Sequence, residues 1–122
     1  MKIAIIGSRG FIGRNISEHL SKNHSVYPVT RETIDLLDFN QVDTFLKTYL
    51  FDVVINCAAI MTDQNLLIDA RNNFGIFMNF YNCSRLYGRF INTASGAEFD
   101  RTFNIDNELE SCIFDRMPSD IS

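Results

Sequence analysis

Residues 2–16 read KIAIIGSRGFIGRNI, and this stretch decides the fold. Lys2–Ile6 is short, β-branched and apolar, the pattern of a buried strand, and Gly7 stops it. Phe11, Ile12, Ile16 and Leu20 then recur at helical spacing, which predicts an amphipathic helix over 11–21. Between the two lie Gly7, Gly10 and Gly13, three residues apart, with Arg9 among them. A glycine loop joining a strand to a helix has a definite use. It turns tightly and admits close approach to the backbone. The helix that follows offers unpaired N–H groups and the positive end of its dipole to an anion.

The same alternation runs through the rest of the chain. Ser25–Val29 reads as a second strand and Thr33–Leu37 as a brief third one. Phe39–Tyr49 carries Val42, Phe45 and Leu46 on one helical face, and residues 52–56 (DVVIN) form another buried strand. Leu66–Tyr87 is a long helical pattern with Gly88 as its stop, followed by a last strand over Phe90–Ala94. Beyond Glu98 the periodicity fades into loop with at most a short helix. Strands alternating with helices predict an α/β protein, a doubly wound parallel sheet in three α/β/α layers, in one domain over residues 1–122. Ligands of such sheets bind at the carboxyl ends of the strands, where the glycine loop lies.

Composition narrows the function. Apolar residues make up 46% of the 122 and charged residues 21%, ordinary values for a globular domain. The net charge of −4 argues against a nucleic-acid or anionic-membrane partner. No apolar run approaches the roughly 20 residues of a membrane span, and no signal peptide precedes the first strand. Cys57, Cys83 and Cys112 are odd in number and widely spaced. They fit reduced structural thiols in a cytoplasmic protein, not a disulfide framework or a metal site. His19 and His24 are five apart and do not share a helix face.

The loop spacing is G-x-x-G-x-x-G, not the more common G-x-G-x-x-G of dinucleotide sites, and no G-K-[ST] of a P-loop occurs. At the end of the second strand an NAD site carries an acid for the ribose hydroxyls. Here the sequence is VTRETIDLLD, and Arg31 stands in that region. An arginine there suits the extra 2′-phosphate of NADP, and Arg9 can reach the same phosphate from the loop. Glu32 keeps NAD open as the alternative.

Five ordered motifs now carry a resemblance. They are Gly7–Gly13 (GSRGFIG), Asp35–Asp38 (DLLD), Asn56–Ala59 (NCAA), Asn72–Gly75 (NNFG) and Thr93–Phe99 (TASGAEF). The chain resembles the extended short-chain dehydrogenase/reductase family of NAD(P)-dependent sugar-nucleotide epimerases, dehydratases and reductases, with the Rossmann fold. Within it the look is that of the NADP(H)-using GDP-fucose synthase-like branch. The resemblance implies that Gly7, Gly10, Phe11, Ile12 and Gly13 hold the pyrophosphate, and Arg9 and Arg31 the 2′-phosphate. It places Asp35 and Leu36 at the adenine, and Cys57, Ala58, Ala59 and Ile60 along the cofactor. Asn72 and Thr93 fall near the nicotinamide. Ser95 matches the family's catalytic Ser/Thr.

Plainer roles stay open for several of these. Asp35 and Asp38 suit a helix cap, Asn56 and Cys57 suit strand-end packing, and Ser95 before Gly96 suits a turn. The family's acid–base tyrosine belongs to a Tyr-x-x-x-Lys motif. None occurs here: the last tyrosine is Tyr87 and the last lysine Lys47. The sequence therefore reads as an N-terminal part that binds cofactor without turnover, with the sugar-nucleotide domain elsewhere. A non-catalytic dinucleotide-binding redox sensor is the alternative. The family also implies a homodimer through the helix at 66–87, whose Leu67, Phe74, Phe77, Met78 and Tyr81 cannot all face one narrow core stripe.

Overall fold

Strand β1, Lys2–Ile6, is buried from Ile3 onward on both of its faces. A strand with no polar face belongs in the middle of a sheet covered on both sides. The structure, a computed structural model, describes residues 1–62 and 65–94. There β1 is central: it pairs in parallel with β2, Ser25–Val29, on one side and with β3, Val53–Asn56, on the other. Strand β4, Arg89–Asn92, adds in parallel to β3, so the order is β2-β1-β3-β4. Pro28 sits in β2, opposite Ile5.

Three helices cover the sheet. α1, Phe11–Leu20, lays Ile16 and Leu20 on Ile3, Ile5 and Ile55. α2, Phe39–Tyr49, and α3, Leu66–Asn82, bury Val42, Leu46, Ile76 and Phe80 on the other face, against Ala4, Ile6, Val29 and Val54. The alternating residues of β1 thus feed two separate cores, which is the predicted three-layer α/β/α arrangement. The chain leaves β1 toward β2, then crosses back over it to β3. That reversal opens a crevice above the carboxyl ends of β1 and β3. No helix among the described residues is long and apolar enough to cross a membrane.

Several boundaries differ from the sequence reading. Residues 33–37 form turns, not a third strand. The Asp35 carboxylate accepts from the Leu37 N–H at 2.9 Å, and the Thr33 N–H donates to the Thr30 carbonyl at 3.0 Å. These local bonds take the backbone groups a ladder would need. Of this segment Ile34 is buried in the core and Leu36 packs partly against it. α3 stops at Asn82, five residues short of Tyr87, and a 3₁₀ turn over Ser84–Leu86 follows. The cause lies at Phe80, whose carbonyl accepts from the Cys83 N–H at 3.0 Å and the Tyr87 hydroxyl at 2.6 Å. α1 ends at Leu20, β3 begins at Val53, and β4 runs over 89–92 in place of 90–94. The short helix considered beyond Glu98 lies outside the described residues, as does Cys112.

Phe80 anchors the α3 face. It is fully buried and stacks on Phe90 of β4 with ring centroids 5.7 Å apart. Phe80→Ala is expected to cost about 3–5 kcal/mol by urea denaturation, from lost burial and the cavity left behind. Phe74, on the same helix but 64% exposed, is the control. At concentrations where the chain is monomeric, Phe74→Ala should shift stability by no more than about 0.5 kcal/mol.

Candidate functional site

The glycine loop is a cradle built from close contacts. Gly7 ends β1 at φ +75°, and a Cβ on it would lie 2.8 Å from the backbone of Ala58. Its N–H and that of Ser8 both donate to the Val29 carbonyl, at 3.1 and 3.3 Å, and the buried Ser8 hydroxyl donates there too. The loop is therefore tied to the end of β2. Gly10 is the N-cap of α1 and makes no side-chain cap, so the first N–H groups of the helix keep no side-chain partner. Gly13 lies one turn into the helix, where a Cβ would fall 2.4 Å from the Gly7 carbonyl oxygen. The spacing is thus explained position by position: Gly7 turns, Gly10 caps, and Gly13 lets α1 lie against the strand end.

Beside this loop a crevice of about 740 Å³ opens at the carboxyl ends of the strands. That volume falls within the ~300–1,000 Å³ of small-molecule sites. Its walls are Gly7, Arg9 and Gly10 on one side, residues 30–32 and 34–37 on another, and residues 57–60 with Thr62 on the third. Ile76 of α3 closes its floor.

The mouth carries charge. Arg9 grips Glu32 with two parallel bonds, Nη1 to Oε1 and Nη2 to Oε2, each 2.7 Å. Both side chains are about seven-tenths exposed, at 70% and 71%. Their hydrogen bonds and opposite charges hold the Glu32 carboxyl below its usual range and raise the Arg9 guanidinium further. Arg31, next to Glu32, is exposed on the same wall. The Thr30 hydroxyl shapes this tip by accepting from the Glu32 N–H at 3.3 Å. Below it, Asp38 caps α2, accepting from the N–H groups of Asn40 and Gln41 and from the Gln41 amide. Those bonds, led by the Gln41 amide, lower its carboxyl. Asn79 of α3 donates to the Leu36 carbonyl at 2.9 Å and fixes this wall from behind.

The third wall, the segment from β3 to α3, is clasped by polar side chains. The Asn56 amide donates to Asn92 at 2.8 Å, while its oxygen accepts from the Ala58 N–H at 3.1 Å. Asn73 grips Ile60 twice: its oxygen accepts from the Ile60 N–H at 2.7 Å and its amide donates to the Ile60 carbonyl at 2.9 Å. The buried Asp69 carboxylate accepts from the Thr62 N–H at 2.7 Å and from the Thr62 hydroxyl. Cys57, half-buried on this wall, has its thiol pushed up by burial, which makes it a poor nucleophile.

The family model described as RmlD substrate binding domain matches residues 1–65, more than half the chain. The chain belongs to that family. No curated protein matches it by sequence. Among solved structures it is similar to a GDP-L-fucose synthetase from Naegleria fowleri, at 17% identity and TM-score 0.84, over 96% of this chain and 37% of that one. It is similar to a GDP-mannoheptose C4 reductase from Campylobacter jejuni with NADP bound, at 24% identity and TM-score 0.78, over 94% and 36%. A hypothetical dTDP-4-dehydrorhamnose reductase from Sulfolobus tokodaii matches at 21% and TM-score 0.77, over 99% and 47%. The chain spans less than half the length of these solved chains. The matches place this RmlD-family chain in the extended short-chain dehydrogenase/reductase group, with its Rossmann-like fold.

In this member of the RmlD family, ten of the residues singled out from sequence line the crevice. They are Gly7, Arg9, Gly10, Arg31, Asp35, Leu36 and Cys57–Ile60. Gly13 lies buried behind the loop, and Phe11 and Ile12 are exposed on the first turn of α1. Asn72 is half-buried on α3, apart from the crevice lining. Thr93 follows β4 and donates both its N–H and its hydroxyl to the Asn56 carbonyl, at 3.0 and 3.1 Å. Ser95 lies outside the described residues.

Sequence reasoning missed Ser8, Asp69, Asn73 and Asn79, which hold the walls in place. Asn73 stood beside Asn72 in the fourth motif, and a polar residue one position from a buried face was the signal available. Asn73→Ala should strand the Ile60 N–H and carbonyl and cost about 1–3 kcal/mol. Hydrogen exchange checks it: the Ile60 amide should lose its protection well before the amides of β1.

Proposed function

We propose that this chain, as one domain over residues 1–122, is the NADP(H)-binding part of a sugar-nucleotide reductase, epimerase or dehydratase. The observation that carries the reading is the convergence of two features at one crevice. One is the uncapped N-terminus of α1 over a loop whose Gly7 and Gly13 leave no room for a Cβ against the neighbouring backbone. The other is the pair of arginines, Arg9 and Arg31, that both line the crevice. The first suits a pyrophosphate and the second a further phosphate. The NADP named in the Campylobacter structure and the sugar-nucleotide chemistry named for all three neighbours support the same reading.

In this reading Gly7, Gly10 and Gly13 bring the backbone to the pyrophosphate, with Phe11 and Ile12 contributing N–H groups. Asp35 and Leu36 flank the adenine. Residues 57–60 run along the cofactor, and Asn72, Thr93 and Ser95 belong to the nicotinamide and substrate end. The nicotinamide, when bound, supplies or accepts hydride. Because the sequence carries no Tyr-x-x-x-Lys, the role proposed for this chain is binding without turnover.

Titration of the purified chain with NADPH and NADH tests the reading. NADPH should bind more tightly. Arg31→Ala should weaken NADPH about tenfold or more and leave NADH nearly unchanged, as for loss of a charge-assisted bond. Equal affinities, or a preference for NADH, would defeat the reading.

The partner proposed for α3 is a second copy of the chain. Leu67, Phe74 and Tyr81 are exposed along this helix at 71%, 64% and 58%. Large apolar side chains left in water forgo roughly 1.5–3 kcal/mol of burial each. Light scattering over a concentration series should show a dimer or larger species, and Tyr81→Asp should shift it to monomer. A monomer at every concentration would refute this assembly.

A further inference from the structure

We propose that Glu32 is a specificity-determining residue, one that limits discrimination against the unphosphorylated dinucleotide by holding Arg9. The inference rests on the dinucleotide-binding reading above and concerns the same crevice. Its ground is the fork between Arg9 and Glu32. Both bonds are 2.7 Å, and they use both carboxylate oxygens and both terminal guanidinium nitrogens. The pair bridges two loops, one after β1 and one after β2, and both residues line the crevice.

A phosphate on the ribose 2′-oxygen offers Arg9 the same two-oxygen face that the Glu32 carboxylate already fills. The two acceptors compete for one guanidinium. For Arg9 to take the phosphate, the fork must open. Glu32 then stands beside a second anion, with Arg31 alone to offset it. A free 2′-hydroxyl asks for none of this. It donates to a carboxylate, which is the contact an acid makes at this place in NAD sites. Glu32 therefore disfavours the phosphorylated cofactor and favours the other, while Arg31 pulls the opposite way. The fork is exposed, and exposed pairs are weak, so Glu32 tunes the ratio of affinities and does not exclude NADP(H).

The test is a double-variant cycle on the full chain at neutral pH, with NADPH and NADH titrated separately. Glu32→Gln should tighten NADPH about three- to tenfold and weaken NADH. In an Arg9→Gln background the gain on NADPH should shrink, because the competed guanidinium is gone. Glu32→Ala, equally exposed, repeats the measurement if the glutamine is retained by Arg9 as a neutral partner. A NADPH-to-NADH ratio unmoved or lowered in both Glu32 variants overturns the inference while leaving dinucleotide binding intact. A wild-type chain that binds neither nucleotide overturns both this inference and the reading beneath it.

Discussion

The contact on which the site depends is the approach of α1 to the end of β1. At Gly13 the helix backbone comes so near the Gly7 carbonyl that the smallest side chain has no room. Gly7 makes the matching approach to Ala58, just beyond the neighbouring strand β3. These two absences of a side chain bring a helix N-terminus, a central strand and the start of the β3–α3 segment together. Moving α1 outward by one methyl group would separate its free N–H groups from the crevice floor. The buried apolar faces of β1 then hold the geometry from both sides.

The walls of the crevice are irregular backbone, and irregular backbone must have its polar groups satisfied locally. Side chains of α3 do much of this. Asp69, Asn73 and Asn79 each reach from the helix to a loop carbonyl, N–H or hydroxyl, and so hold two of the three walls. The helix thus combines two duties along its length. Its apolar residues fix the layer to the sheet, and its amides and carboxylate set the shape of the segments above the strands. The helix also carries Leu67, Phe74 and Tyr81 on its exposed side, and this is why α3 read as apolar on more than one side.

That two-sided pattern also marks what the sequence made legible. The strands β1, β2 and β3 and the helices α1 and α2 were readable because burial on one face or two imposes a period on the residues. The glycine loop was readable because only glycine tolerates its geometry. Residues 33–37 were misread because Thr33 and Ile34 look like strand, while the turn is made by bonds from Thr30 and the Asp35 side chain. The end of α3 was misplaced because the Tyr87 hydroxyl acts on the Phe80 carbonyl from seven residues away. The partner of Arg9 was hidden for a stronger reason. Glu32 lies 23 residues on, and only the pairing of β1 with β2 brings the two loops side by side. The crevice's glycines and its two arginines were visible in the sequence. The polar clasps behind it belong to tertiary structure, and Ser95 lies outside the described residues.

Pro28 shapes the β2 rim of the sheet. The Val29 carbonyl takes bonds from the Gly7 and Ser8 N–H groups, so Val29 faces β1 and its neighbour Pro28 faces away. The outer rim of β2 therefore lacks a donor at its centre, where an incoming strand would need one. Another chain that docks edge to edge at this rim finds a gap in the ladder. Such a gap is one of the ways a sheet protects an open side from runaway strand addition. Among the described residues the sheet is thus blunted at its β2 rim.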